Sequence, residues 1–219
     1  MVYIFYVNAK RRLKESIYSQ LIEQVPVVCQ TRIKRFHRWQ DAQRSLLGLH
    51  VLRQGLKNID ASYSLNSIEY AANGKPFLKL PVNFSISHAG AISLCAVSSV
   101  HAIGIDCEEI IDKPLSDFKS QFTSTEWNWI NGDQADMRRF YTCWTRKEAL
   151  LKATGQGLTT DLSVVNTKAD HIKWEEQSWY WYPISIHPDY VVSLACNTAH
   201  AQLQIKEVVL EGYKAQCHL

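Results

Sequence analysis

The chain has 219 residues, of which 46% are hydrophobic, and its formal net charge is +3. This length accommodates one large domain or two compact halves of roughly 100 residues each, and the hydrophobic content is typical of a protein with a buried core. So small a charge does not indicate nucleic-acid binding, and every apolar run is far shorter than the roughly 20 residues of a membrane span. Basic residues 10–14 follow the first apolar stretch, the reverse of a secretory signal, so we expect a cytoplasmic protein that does not bind membranes.

The sequence pattern of the first half predicts a strand, a long helix and a hairpin. Residues 2–7 alternate as a strand does, and residues 39–56 carry apolar residues at the three- and four-residue spacing of a helix. Asn73-Gly74 is a turn signal, and residues 83–97 predict a hairpin that turns at His88-Ala89-Gly90.

The second half repeats this combination of elements. A strand is predicted over residues 102–108, and a short helix over 123–130 begins with Thr123 and Glu126 spaced as a capping box. A longer helix is predicted over 133–153, ended by Gly155. The remaining sequence is rich in strand-forming residues, most clearly at 179–186 and 190–196.

A weak internal echo suggests that the two halves are related. Ile86-Ser87-His88 followed by Ser93-Leu94 recurs as Ile184-Ser185-Ile186-His187 followed by Ser193-Leu194, about 100 residues later. The sequence therefore predicts two similar α+β halves joined near Ile103.

Six cysteines are scattered along the chain without a CxxC pair. Disulfide frameworks belong mainly to small secreted domains, and zinc sites need closely spaced ligands. We therefore expect buried, reduced thiols.

Two acidic residues lie near the end of the strand predicted over residues 102–108. Because side chains alternate along a strand, Asp106 and Glu108 share a face and lie about 7 Å apart. Neighbouring carboxylates repel one another, so a cation between them would be stabilising. The alternative is an ordinary solvated strand end.

A third carboxylate occupies the apolar stripe of the longer helix. Glu148 lies one turn beyond Trp144, on the side of the helix that carries its aromatic residues. A covered carboxylate needs a partner, which a metal or Lys152 could supply. Two ordinary alternatives remain: a surface ion pair between Glu148 and Lys152, or a capping box with Thr145 if a helix restarted there.

An oxygen-only ligand set favours Mg²⁺, which commonly shares the phosphates of a substrate. Three further elements suit a phosphate-rich ligand: the turn Gly74-Lys75-Pro76, the pair Ser87-His88, and a basic run before the helix that carries Arg44. That run consists of Arg32, Lys34, Arg35, His37 and Arg38. Taken singly, a basic run is usually a solvated face, and a lone histidine is usually structural.

The segments GKP at 74–76, FSISH at 84–88, IGIDCE at 103–108 and WTRKEALLK at 144–152 occur in this order. Together they resemble the Sfp-type 4′-phosphopantetheinyl transferases, and the resemblance extends to DAQRSLL at 41–47, FTSTEW at 122–127 and GQGL at 155–158. It covers roughly residues 30–160.

The resemblance implies an enzyme that moves the phosphopantetheine arm of coenzyme A onto a serine of an apo acyl or peptidyl carrier protein, releasing 3′,5′-ADP. It implies Asp106, Glu108 and Glu148 as Mg²⁺ ligands, and Glu148 also as the catalytic base. Lys152 would contact the pyrophosphate as a catalytic and binding residue. The nucleotide of coenzyme A would be bound by Arg44, Lys75, Pro76, Ser87 and His88.

The implied fold is two α+β halves related by pseudo-twofold symmetry, with the active site in the cleft between them and the protein a monomer. Residues 1–103 would form the nucleotide-binding half, and residues 104–219 the magnesium and catalytic half. The residues alone leave three alternatives: a nucleic-acid-binding module built on residues 32–39, a carrier-protein binder without catalysis, and a different magnesium-dependent phosphoryl or nucleotidyl transferase.

Overall fold

A computed structural model of the chain describes residues 1–71, 74–132, 134–156 and 161–213. Three residue groups named above, Asn73, Asp133 and 157–158, lie outside this part. The helices are α1 (Glu15–Ile22), α2 (Val27–Ile33), α3 (Trp39–Ile59), α4 (Ser124–Asn131) and α5 (Met137–Thr154). The strands are β1 (Val2–Asn8), β2 (Ile68–Tyr70), β3 (Pro76–Leu78), β4 (Asn83–Ala89), β5 (Ile92–Ser98), β6 (Ile103–Glu109), β7 (His171–Trp174), β8 (Gln177–Pro183), β9 (Tyr190–Cys196) and β10 (Leu203–Glu207).

The chain divides into two compact units, one containing residues 1–100 and 202–213 and the other residues 101–201. The division falls close to the junction predicted at Ile103. The end of the chain differs from the predicted assignment to the C-terminal half, because β10 pairs in parallel with β1 and so belongs to the first unit. Residues 201–206 alternate apolar and polar side chains as a strand does, but this pattern does not indicate which strand is the partner.

The first unit is a sheet in the order β10-β1-β5-β4 with α3 packed on it. β5 is buried along its whole length, as expected of a central strand between two neighbours. The apolar stripe of α3, including Leu46, Leu52 and Leu56, is fully buried. A Cβ atom added at Gly48 would lie 2.9 Å from the Ile86 side chain, so this glycine allows α3 to approach β4 closely.

The second unit is a sheet in the order β6-β9-β8-β7, with α5 packed against β6 and β9. An aromatic cluster on α5 and the preceding segment, including Phe122, Phe140 and Trp144, packs in tilted, edge-on and stacked pairs. The capping box predicted for α4 is present, since Thr123 and Glu126 each bond to the other's backbone N–H group. α5 ends at Gly155, which adopts the left-handed conformation, as the sequence predicted.

Both units contain a strand, then a long helix, then a hairpin whose second strand pairs with that first strand. The arrangement is β1-β5-β4 with α3 in the first unit and β6-β9-β8 with α5 in the second. The sequence echo marks corresponding hairpins, although the first turns at residues 90–91 and not at His88. The predicted α+β class is confirmed, and the pseudo-twofold relation stays a prediction.

Within the described ranges, no helix has both the length and the hydropathy to cross a membrane. Five cysteines lie in the same ranges, and each is buried and outside any disulfide. Burial raises the pKa of the Cys143 thiol to about 11, so it stays protonated at neutral pH. The five buried cysteines are Cys29, Cys95, Cys107, Cys143 and Cys196.

Candidate active site

Helix α5 lies directly on strand β6 because Gly104 has no side chain. A Cβ atom at this position would lie 2.0 Å from the Ala149 carbonyl oxygen and 2.4 Å from the Ala153 backbone nitrogen. Non-bonded heavy atoms do not approach this closely, and even hydrogen-bonded ones stay beyond about 2.5 Å, so any larger residue must push the helix away. The glycine thus sets the distance between the strand and the helix that carry the predicted carboxylates.

Asp106 lies two residues after Gly104 on the same face of β6, and it also contacts α5. The Lys152 ammonium lies 2.7 Å from Asp106 Oδ1, with the Asp106 side chain 7% exposed and the Lys152 side chain 30% exposed. The predicted alternation of side chains along β6 is therefore correct. The face that carries Asp106 is covered by α5, so the alternative of a solvated strand end is wrong at this residue. The structure pairs Lys152 with Asp106, which argues against the predicted alternative of a simple Glu148–Lys152 surface pair.

Glu108 follows on the same face and is half-buried. Burial and the neighbouring Asp106 carboxylate raise the pKa of Glu108 to about 7, while Lys113, Lys152 and a hydrogen bond from Trp144 oppose the rise. The Lys113 ammonium is itself held over three aromatic rings of the α5 cluster, at 4.7–5.2 Å from their centroids. Burial and the Asp106 carboxylate thus make the charged form of Glu108 less favourable, and further positive charge beside it would be stabilising.

Glu148 lies on α5 one turn before Lys152. Burial and Asp106 raise the pKa of its carboxyl group, and Lys152 lowers it. Thr145 does not cap a new helix, because α5 is continuous and the Thr145 hydroxyl donates to the Tyr141 carbonyl oxygen at 2.8 Å. Lys152 contacts Asp106, and Glu148 lies one turn before it on the same helix, so α5 brings Glu148 toward the end of β6 that carries Asp106 and Glu108.

Among residues 1–71, 74–132, 134–156 and 161–213, no group of three or more His, Cys, Asp or Glu side chains could hold a metal ion as it stands. The Lys152 ammonium provides the positive charge beside Asp106 in this arrangement. Mg²⁺ commonly binds through one or two carboxylates, retained waters and substrate phosphates, so a complete protein cage is not required. The carboxylate oxygens fit this ion, and the ligand assignment stays a prediction.

In the first unit, Arg44 and the Ser87-His88 pair are tied to one hairpin. The Arg44 Nε group donates to the Gly90 carbonyl oxygen at 3.0 Å, and Nη1 lies 3.1 Å from Asp41 Oδ1. Ser93, which is opposite His88 in the β4–β5 ladder, donates its hydroxyl to the Arg44 carbonyl oxygen at 3.3 Å. Ser87 is buried and His88 is exposed. The structure therefore gathers these three predicted residues around the β4–β5 hairpin.

Lys75 and Pro76 lie in the β2–β3 hairpin of the same unit. Pro76 is opposite Tyr70, and the Arg32 guanidinium stacks on the Tyr70 ring at 4.0 Å from its centroid. Burial lowers the pKa of Lys75. Within the basic run, Arg32 is thus the residue that meets this hairpin, an assignment that the sequence left open. The sequence feature that could have indicated this contact is Tyr70, an aromatic residue four positions before Gly74.

The segment that contains β6 and α5 matches a known protein family. A sequence model of the 4′-phosphopantetheinyl transferase superfamily matches residues 102–203, which include β6 and α5. The chain is 30% identical to the 4′-phosphopantetheinyl transferase Sfp of Bacillus subtilis strain 168, over 84% of this chain and 76% of that protein. The chain belongs to the 4′-phosphopantetheinyl transferase superfamily.

Other superfamily members extend the comparison. The chain is 30% identical to the 4′-phosphopantetheinyl transferase pptA of Paxillus involutus, over 69% of this chain and 67% of that protein. It is 28% identical to the 4′-phosphopantetheinyl transferase gsp of Aneurinibacillus migulanus, over 72% of this chain and 68% of that protein. The family predicted from the sequence is confirmed, and the chain is a 4′-phosphopantetheinyl transferase.

A buried ion pair between α5 and α4 of this transferase was not predicted from the sequence. Lys147 Nζ lies 2.8 Å from Glu126 Oε2, and both side chains are fully buried, at 0% exposure. Thr145, two residues earlier on α5, shares a 2.8 Å hydrogen bond with Ser193 of β9. A lysine next to an acidic residue on a helix resembles a surface charge, so no local pattern distinguishes Lys147 as buried.

Proposed function

We propose that this chain transfers the 4′-phosphopantetheine group of coenzyme A to a serine of an apo acyl or peptidyl carrier protein, in a reaction that depends on Mg²⁺. The observation that carries the proposal is the meeting of Asp106 with Lys152, beside Glu108 and Glu148, in a chain of this superfamily. A carboxylate group next to a lysine suits a diphosphate and its divalent ion.

Asp106, Glu108 and Glu148 would hold the Mg²⁺ ion. Burial and the neighbouring Asp106 carboxylate raise the pKa of both glutamates, and a divalent cation would offset both effects. When bound with the diphosphate, the ion supplies positive charge that stabilises the developing charge on the leaving group.

The serine oxygen forms a bond to the phosphorus that bears the pantetheine arm, and the bond from that phosphorus to the bridging oxygen breaks. The bridging oxygen leaves with 3′,5′-ADP. A Glu148 carboxylate oxygen takes the serine proton, directly or through one water. The Lys152 ammonium binds a pyrophosphate oxygen. It can turn from Asp106 toward this oxygen because its side chain is 30% exposed.

For the nucleotide, we propose that His88 and Arg44 contact the 3′-phosphate and that Ser87, Lys75 and Pro76 complete the binding surface. The stacked Arg32 joins this set, since its guanidinium is fixed by Tyr70 near Gly74. The first unit would thus bind the nucleotide and the second would carry the metal and the chemistry.

We also propose that the enzyme is a cytoplasmic monomer. Light scattering, which measures the mass in solution, tests whether it is a monomer.

Incubation with coenzyme A, Mg²⁺ and a panel of apo carrier proteins tests the proposed function. We expect one carrier or more to gain the mass of a single phosphopantetheine group, with 3′,5′-ADP released in equal amount. Chelation by EDTA should abolish the gain and added Mg²⁺ should restore it. Transfer of a phosphoryl or nucleotidyl group instead would identify the alternative transferase, and the absence of any transfer from coenzyme A would contradict the proposal.

Replacement of Arg32 by alanine tests the nucleotide-binding set. We expect KM for coenzyme A to rise about 10-fold, the loss of roughly one charged hydrogen bond, with kcat changed less than about 3-fold. Arg35→Ala is the matched control, because Arg35 is an exposed member of the same basic run. Equal KM values for the two variants, measured by steady-state kinetics, would show that Arg32 has no specific role.

A further inference from the structure

Lys147 is fully buried and has polar partners in two other segments of the second unit. Its ammonium group pairs with Glu126 of α4 and donates to the Leu162 carbonyl oxygen at 2.7 Å and to the Val165 carbonyl oxygen. An ammonium group has three N–H donors, and each is matched by one of these acceptors. The lysine therefore joins α5 to α4 and to the segment 162–165.

Glu126 is equally saturated on the other side of the pair. Its Oε1 atom accepts the Thr167 N–H at 2.9 Å and the Thr167 hydroxyl at 2.6 Å, and its Oε2 atom accepts the Thr123 N–H at 2.9 Å. Burial alone would raise the pKa of Glu126, but the bonds from Lys147 and Thr167 outweigh it and hold the pKa below the usual value. These hydrogen bonds favour the charged form of the pair, against the burial that lowers the pKa of Lys147, and hold the two side chains in one geometry.

Stability alone does not account for this arrangement. Moving two charges out of water is unfavourable, and apolar side chains of similar size usually stabilise such a position as well or better. What an ion pair with every hydrogen bond satisfied adds is a unique geometry, because a small rotation of either partner breaks several bonds at once.

The geometry that is fixed here is that of α5. Lys147 directly precedes Glu148, and Thr145 provides a second buried polar anchor through Ser193 of β9. Side chains three and four residues apart share a helix face, so the rotation of the helix that buries Lys147 also decides where Glu148 and Lys152 point. Gly104 sets the distance of α5 from β6, and the buried pair sets its rotation.

We propose that the Lys147–Glu126 ion pair positions catalysis by fixing the rotation of α5, so that Glu148 and Lys152 meet Asp106. Both residues act through others and do not touch the substrate. The inference rests on the proposed function, since it assigns Glu148 and Lys152 their roles from that reaction.

Lys147→Met, Glu126→Gln and the double variant test the inference. Each is assayed well below its own melting temperature, with the folded fraction measured by circular dichroism. Per folded molecule, we expect kcat to fall about 30- to 100-fold, as for a misplacement of about 1 Å, and KM for the carrier to change less than about 3-fold. The double variant should be no slower than Lys147→Met, because the two residues act as one unit.

Calorimetry with coenzyme A gives a readout that is independent of turnover. We expect Lys147→Met to weaken binding about 10-fold when Mg²⁺ is present and less than about 3-fold when it is absent, since Glu148 contributes to binding only through the ion and the contact of Lys152 alone is a smaller part. Tyr182→Phe is the control: it removes a hydroxyl bonded to the Thr198 carbonyl oxygen, away from α5, and should lower stability without changing kcat.

Unchanged kcat and unchanged binding per folded molecule in Lys147→Met would overturn the inference and leave the proposed function intact. If Lys147→Met does not fold, Glu126→Gln decides in the same way, since it keeps the shape of the side chain. Failure of the unsubstituted enzyme to transfer phosphopantetheine would overturn the proposed function and this inference with it.

Discussion

Replacement of Asp106 by alanine, or of Glu148 by glutamine, is expected to lower kcat/KM for phosphopantetheine transfer by about 10³-fold. Removal of one preorganised charge at a reacting centre typically costs 10²–10³-fold, and removal of a general base 10²–10⁴-fold. Asp106→Ala also removes the partner of Lys152, so the ammonium loses a 2.7 Å contact in a largely covered position. The measurement is steady-state transfer to an apo carrier at saturating Mg²⁺ and coenzyme A.

Both variants should remain folded, which circular dichroism and thermal unfolding check. Glu176→Gln is the matched control, because Glu176 is a fully solvated carboxylate of the same unit whose ion pair with Lys173 is long, at 3.8 Å, and should therefore leave activity unchanged. Near-normal turnover of Asp106→Ala or Glu148→Gln would show that the role assigned to that residue is wrong.

Gly104→Ala is expected to have the largest effect of any change outside the carboxylate group. The added methyl group would meet the Ala149 carbonyl oxygen at 2.0 Å, and a backbone atom cannot rotate away. Overpacking of this kind costs about 3 kcal/mol, which for a chain of this size lowers Tm by about 6–12 °C. Displacement of α5 by about 1 Å should also reduce kcat by about 10²-fold.

Cys107→Ala separates these two effects. Cys107 is buried on the opposite face of β6, away from α5, so the substitution leaves a small cavity without moving the helix. We expect it to lower Tm modestly and to keep kcat within about 3-fold of the original value. If Gly104→Ala lowers Tm and yet retains full activity per folded molecule, then the close contact between α5 and β6 is not needed for catalysis.

Periodicity predicted the elements that carry the site. The alternation of β6 correctly placed Gly104 and Asp106 on one face, because successive side chains of a strand point to opposite sides and both residues meet α5. The apolar stripe of α5 likewise predicted that Glu148 is covered. The helix begins at Met137, after an Asp136 cap, and so a few residues later than predicted.

The partner of Lys152 could not be predicted from spacing. Glu148 is four residues away on the same helix, which makes it the obvious partner, yet the structure pairs Lys152 with Asp106, 46 residues earlier. Such a contact depends on how closely α5 packs on β6, and that distance follows from tertiary packing around Gly104. The Lys147–Glu126 pair was missed for the same reason, since its burial arises from the segment 162–167.

The parallel pairing of β10 with β1 has a consequence for the order in which the chain is completed. Residues 101–201 form their own compact unit between two strands of one sheet, so ribosomal synthesis delivers that entire unit before the last strand of the first sheet exists. Until residues 203–207 emerge, the edge of β1 that pairs with β10 has backbone N–H and C=O groups without a strand partner. The half that is synthesised first is therefore the half whose sheet is finished last.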